Sequence, residues 1–199
     1  GNIAEFPVAQ YGNLTGLKAI DHERIMFLFD KSGPLITPGR DELELDGSGR
    51  KITLGDGGLF SRPLLPILFT DYHYASSDSQ RAFINTQFGS FFTSQEQGRI
   101  FKFTGQLEEI TNAGNSWWFR NYLPSFLMKE FPDYKHNDNP VEGVGLLMGF
   151  DNTAEILYIS KKDYKSKIEG IQYNSTTDQF TYNNRKINLK DPDYFEDVS

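Results

Sequence analysis

Residues Phe88 to Thr111 read FGSFFTSQEQGRIFKFTGQLEEIT, and this stretch decides the fold class. Its short apolar runs are bounded by turn residues, which is the pattern of many short strands rather than of helices. With the preceding Ala82 to Asn85 it divides into four strands: 82–85, Gln87 to Thr93, Arg99 to Phe103 and Gln106 to Ile110. Loops fall at Gln95 to Gly98 and at Gly105. Four successive short strands make an antiparallel meander, and four strands per roughly 40–50 residues is the unit of a β-propeller blade.

The pattern recurs on either side. Arg24 to Asp30 (RIMFLFD) is apolar on both faces and predicts an inner strand. Asp41 to Asp46 (DELELD) and Arg50 to Leu54, around Gly47-Ser48-Gly49, predict a hairpin with Leu43 and Leu45 inward and one wet face. Pro63 and Pro66 make Arg62 to Tyr74 irregular. Further on, Gly143 to Phe150 and Ala154 to Ser160 flank Asp151-Asn152-Thr153, a second hairpin. Gly170 to Tyr173, Gln179 to Tyr182 and Arg185 to Leu189 follow, giving a second and weaker meander. Asn183-Asn184 suits the positive φ angles of a type I′ turn. At about 45 residues per blade, 199 residues correspond to about four blades. The expected fold is all-β with a helical insertion, built of propeller-like meanders that form an incomplete propeller. A β-sandwich is the alternative, and residues 1–199 are read as one β-rich domain.

The insertion covers 111–142. Asn115-Ser116 can cap a helical turn beginning at Trp117, and Pro124 suits the first position of a second helical stretch through Phe131. Phe119, Leu123, Phe126, Leu127 and Phe131 fall near helical spacing and predict one apolar stripe.

Composition limits the function classes. The chain has 199 residues, 20 Lys and Arg against 27 Asp and Glu, and a formal net charge of −7. A surplus of acid repels phosphate backbones and anionic lipid, so a basic nucleic-acid-binding module is excluded. Hydrophobic content is only 38%, but 17 Phe and 10 Tyr supply large buried areas per residue. With no Cys there is no disulfide framework, thiolate metal site or Cys nucleophile. The longest apolar run, Leu64 to Phe69, holds Pro66 and falls far short of the roughly 18 residues of a membrane span. The first residues show no basic region followed by an apolar run, so no signal peptide is expected in them. A start at Gly1 and an end on Tyr194-Phe195-Glu196-Asp197-Val198-Ser199 lead to the expectation of a piece of a longer polypeptide.

The residues offer little for catalysis. His22, His73 and His136 are far apart and form no metal-binding spacing, so each reads as a loop residue. Asp71-Tyr72-His73 lacks a companion nucleophile. The acid pairs Asp41/Glu42, Glu44/Asp46, Glu108/Glu109 and Glu196/Asp197 read as solvated strand faces, because glycoside hydrolysis needs carboxylates facing each other across a sugar. Gly47-Ser48-Gly49 and Gly55-Asp56-Gly57-Gly58 match no phosphate-binding loop. Asp133 to Asn139 lacks the Gly and the terminal Glu of a calcium loop. No catalytic residue, cofactor or metal is expected. The densest chemical feature is aromatic: Trp117, Trp118, Phe119, Tyr122 and Phe126 are the candidate interface residues, since Trp and Tyr pair large area with a polar handle. The plainer reading puts one Trp in the core with its neighbour partly exposed.

The run GVGLLMGFDNTAEILYISKKDYK from Gly143 to Lys165 and the later YNSTTDQFTYNNRKINLKDPDYFEDVS resemble the tail stabilization proteins, also called nozzle or muzzle proteins, of crAss-like bacteriophages of gut Bacteroidota such as Bacteroides. SDSQRAFINTQFGSFFTSQEQGRIFKF and GNSWWFRNYLPSFL are similar to the same family, and the likeness spans roughly two thirds of the chain, mostly from Asp71 onward. The resemblance implies a virion structural protein at the DNA-exit end of a short tail. It implies β-propeller-containing subunits, six around a channel, with other tail subunits as partners, DNA only as passing cargo, no membrane insertion and no catalytic residues. A wall with few cations suits such a conduit, since each Lys or Arg would add a phosphate contact and drag. Two other classes remain open. One is a glycan- or receptor-binding surface using Trp117, Trp118, Tyr72 and Tyr74. The other is a propeller-type glycoside hydrolase.

Overall fold

The computed structural model describes residues 5–39, 42–44, 51–53, 62–68, 73–134 and 138–199. The turn Gly47-Ser48-Gly49, the glycine run 55–58, Asp71, Tyr72 and His136 lie outside the described residues. The fold is mostly β-strand, arranged in several small antiparallel sheets with few helices. Where the sequence suggests one β-rich domain, the chain divides into two compact units, Gly1–Ser77 and Asp78–Ser199.

In the first unit a single helical turn, α1 (Val8–Tyr11), precedes β1 (Leu14–Ala19), β2 (Ile25–Phe29), β3 (Leu35–Ile36), β4 (Glu42–Glu44), β5 (Lys51–Thr53) and β6 (Leu65–Pro66). One sheet has the order β1-β2-β3-β6, and β4 pairs with β5, Leu43 opposite Ile52. Strand β2 is the inner strand that RIMFLFD predicts: Met26, Phe27, Leu28 and Phe29 are all buried. Phe6 and Tyr11 close over one face, with the Phe6 ring centroid 5.6 Å from Phe27 and 5.2 Å from Phe29.

The second unit opens with the meander β7 (Phe83–Thr86), β8 (Gly89–Ser94), β9 (Arg99–Phe103) and β10 (Leu107–Glu109), in spatial order β10-β9-β8-β7. Its centre is a cross-strand pair, Phe92 opposite Phe101, both fully buried, with centroids 5.3 Å apart and rings near parallel. A 3-10 turn (Ile110–Asn112) then leads to α2 (Ser116–Tyr122) and α3 (Phe126–Glu130). The two expected helical stretches are present, but their apolar residues do not form one stripe. Leu123 packs with Ala82, Ile100 and Leu146, whereas Leu127 belongs to a separate core with Val144, Tyr164, Phe180 and Phe195. Ser125 caps α3, its side chain accepting from Met128 N at 3.1 Å, so Pro124 sits before the cap rather than at the first helical position. A proline there costs nothing to the helix, and its fixed φ helps end α2.

All five strands of the second recurrence are present, but they belong to separate sheets. The region separates into the hairpin β11 (Gly145–Asp151) with β12 (Ile156–Lys162), a pair β13 (Tyr164–Ser166) with a C-terminal strand, and a three-stranded sheet β14 (Gln172–Asn174), β15 (Gln179–Tyr182) and β16 (Arg185–Ile187). That C-terminal strand is β17 (Phe195–Asp197), so two segments thirty residues apart enclose β14–β16. The β15–β16 turn has Asn183 at φ 49° and Asn184 at φ 63°, as the Asn-Asn dipeptide predicts.

Tyr134 lies in this core, its ring 5.6 Å from Phe180. Burial, helped by the negative charge of Asp178, pushes its hydroxyl from 10.0 up to about 12. A folded state that holds this proton longer than the unfolded chain keeps its full stability below pH 10 and loses it as pH rises toward 12. The loss is about 2 kcal/mol or less: ~1.4 kcal/mol per pKa unit sets a ceiling of ~3 kcal/mol, and water that reaches part of the side chain lowers it. Urea midpoints on the two sides of that window should fall further in the wild type than in Tyr134→Phe; parallel declines would refute the assignment.

Candidate interaction surface

The aromatic residues of the insertion divide by burial. Trp117 is 70% exposed, Trp118 52% and Tyr122 44%. Phe119, one helical step from Trp118, turns into the core against Ile100, Leu123 and Leu146, and Phe126 is half-buried. Neither Trp is a core residue, so the plainer reading, which puts one of them in the core, fails. Trp118 stacks on Tyr122, one helical turn away, with centroids 5.3 Å apart and an interplanar angle of 29°, and Trp117 meets Tyr122 edge-on at 6.3 Å. Together the three leave on the order of 300 Å² of aromatic surface open, worth about 7 kcal/mol if buried on a partner, before the costs of association.

A buried polar network holds this ledge in place. Asp163, between β12 and β13, is fully buried and accepts from Ser125 Oγ (2.8 Å), Phe126 N (2.6 Å), Leu127 N (3.4 Å) and Tyr164 N (2.9 Å). Its fifth partner is the Lys161 ammonium at 3.0 Å. Lys161 Nζ in turn donates to Tyr122 O (2.6 Å) and Pro124 O (3.3 Å) and lies 4.3 Å from the centre of the Phe126 ring. One cation therefore closes the C-terminal end of α2 while one carboxylate closes the N-terminal end of α3. Burial pulls the Lys161 pKa below the ordinary lysine value, against the opposing pull of Asp163. From below, the β8–β9 turn brings Gly98 (φ +62°) so close that a Cβ would stand 2.5 Å from Arg120 Cα and from Phe119 O. Only glycine fits that approach.

Sequence reasoning finds the aromatic residues but not this network. Ser125 ahead of an apolar run is a readable cap signal. Asp163 and Lys161 look like ordinary strand-end charges until the fold brings them to residues 36 to 39 positions away.

Other candidate chemistry is dispersed. Glu109 binds Arg99 at 2.6 Å. His22 and Arg24 line a shallow hollow at the β1–β2 turn. A cavity of about 350 Å³ beside β13 and β17 is lined by Lys162, Lys167, Lys190, Glu196 and Asp197, among others. Its cations are engaged: Lys162 with Asp197, Lys167 with Pro192 O at 2.7 Å, and Lys190 with Glu142 at 3.9 Å. Lys162 holds the Asp197 carboxyl below its usual range and is itself raised by that contact. Glu196 and Asp197 are neighbours on one strand, and their side chains leave it on opposite sides. Among the described residues no cluster of three or more His, Asp or Glu is placed to hold a metal ion, and no helix is long and apolar enough to cross a membrane.

Comparison of the sequence with protein-family models and with curated proteins gives no match.

Proposed function

We propose that this chain is a structural subunit of a bacteriophage tail, a nozzle or stabilization protein that acts by packing against neighbouring subunits around a DNA-exit channel, with no catalytic step. The observation that carries the reading is the aromatic ledge of α2: exposed Trp117, Trp118 and Tyr122 on a helix whose end is tied through Lys161 to the fully buried Asp163. Aromatic anchors on a fixed base, with little side-chain entropy left to lose, are what assembly interfaces use. The reading also rests on the resemblance of the quoted phrases to crAss-like phage tail proteins. The four-stranded meander β7–β10 supports a propeller-like build, and a net charge of −7 suits a wall past which DNA slides.

The test is a Trp117→Ala/Trp118→Ala double variant co-expressed with the tail proteins encoded beside it. Both side chains are exposed, so the urea midpoint should stay within about 0.5 kcal/mol of wild type. Co-sedimentation with tail subunits should fall at least about thirtyfold, the effect of losing a 2 kcal/mol hot spot. Wild-type assembly by the double variant, or absence of the chain from purified virions by mass spectrometry, would defeat the reading.

The half-open Trp118 stacked on Tyr122 favours one further reading, a glycan- or receptor-binding surface, because a flat aromatic face can seat a sugar ring. Loss of polysaccharide binding in Trp118→Ala with assembly unchanged would select it.

A further inference from the structure

The hairpin β11–β12 ends its sheet with an open edge. The two strands pair over seven residues without a bulge, Gly145 opposite Lys162 through Asp151 opposite Ile156. Met148 N donates to Arg81 O at 3.1 Å, so the main-chain groups of Met148 point away from β12. Its partner Ile159 then points its own N–H and C=O away from β11, and by the two-residue period so do Leu157 and Lys161. Among the described residues no backbone hydrogen bond reaches these groups. Such a row is a template for another strand, and natural edges usually carry a charge, a proline or a bulge to prevent pairing. From Ile156 to Ser160 (ILYIS) β12 has none of these. The outer face beside the edge is apolar as well: Ile156 is 46% exposed, Tyr158 54% and Leu147 51%.

We propose that β12 pairs with β12 of a second copy of this chain, antiparallel and centred on Ile159, joining two hairpins into one four-stranded sheet. In this register Leu157 and Lys161 of one copy face Lys161 and Leu157 of the other, and the two Ile159 residues face each other. The outward-pointing groups of all three residues are then satisfied in both copies at once. On the solvent face Tyr158 meets Ser160 and Ile156 meets Lys162, so no like charges are opposed. The charge layout favours this direction. Acids Asp151 and Glu155 lie at the turn end of the hairpin and Lys161 and Lys162 at the other, so the two-fold places the acidic end of each copy beside the basic end of its mate. A parallel pairing would lose that match, and a slipped antiparallel one would leave an outward-pointing residue of the three without its mate. The inference needs only two copies of the chain and stands apart from the tail reading.

Sedimentation velocity of the whole chain from micromolar to near-millimolar concentration should show a reversible dimer. Over the same range, amide exchange at Leu157, Ile159 and Lys161 should slow with concentration in the unmodified protein. Ile156→Lys puts a like charge opposite Lys162 twice per dimer and should weaken dimerisation by about threefold to thirtyfold, while Ile156→Glu should tighten it by a similar factor. Ile156 is half exposed at the hairpin end, so both variants fold, and thermal melts check this. A monomer at every concentration overturns the proposal. A dimer indifferent to charge at position 156 also overturns it, and so does protection of 157–161 without a dimer, which would mean that some other strand occupies the edge.

Discussion

Replacing Asp163 by Ala lowers the stability of the second unit by about 3–5 kcal/mol, the usual cost of breaking a buried ion pair by removing one partner. The mutation leaves the Ser125 hydroxyl and the amides of Phe126, Leu127 and Tyr164 without their acceptor, and strands the Lys161 ammonium among two carbonyls and an aromatic face. Asp163→Asn separates charge from volume. It fills the same space but keeps a single acceptor oxygen, so it should lose most of what Ala loses. Lys161→Met should cost less, about 1–3 kcal/mol, because Asp163 retains four donors and the methionine stem still covers Phe126. Urea unfolding followed by far-ultraviolet circular dichroism gives all three values. A loss under about 1 kcal/mol for Asp163→Ala would show that the network only decorates the helices.

Phe101→Ala has a comparable effect for a different reason. Phe101 is fully buried at the middle of β9, stacked on Phe92 across the strand pair. Deleting its ring removes buried apolar area and leaves a void between strands whose backbones are pinned on both sides by β8 and β10, so relaxation is limited. About 3–5 kcal/mol is expected. Phe101→Leu, which refills most of the space, should recover more than half of it. Equal losses for Ala and Leu would show that the pair contributes through ring stacking rather than volume. The midpoint shift in urea, with an unchanged slope, is the measurement.

The parts of the fold that were legible in the sequence are those settled by neighbours in the chain. The meander from Phe83 to Glu109 is visible because the short apolar runs, the turn residues between them and the strand lengths all agree within one short stretch. The same holds for Ile25 to Phe29, apolar on both faces, and for Asn183-Asn184. What the sequence hides is contact at a distance. Tyr164–Ser166 and Phe195–Asp197 are short and mixed in polarity, and nothing local says that they pair. The helical insertion reads as two stretches divided near Pro124 but sharing one apolar stripe; only the fold shows that Leu123 and Leu127 serve separate cores and that a buried carboxylate closes the start of α3. For the interaction surface, residue type pointed to Trp117, Trp118 and Tyr122, but exposure separated them from Phe119, which the same reasoning had grouped with them.

The placement of the two tryptophans also fixes what light can report about this protein. They are the only two in the chain, and both indoles face water while the chain is fully folded. Emission near the red limit is then the signature of the native state, and denaturation moves it little. A blue shift, together with resistance to acrylamide quenching, marks capture of the ledge by a partner, so an ordinary fluorimeter distinguishes docking from folding without any added dye.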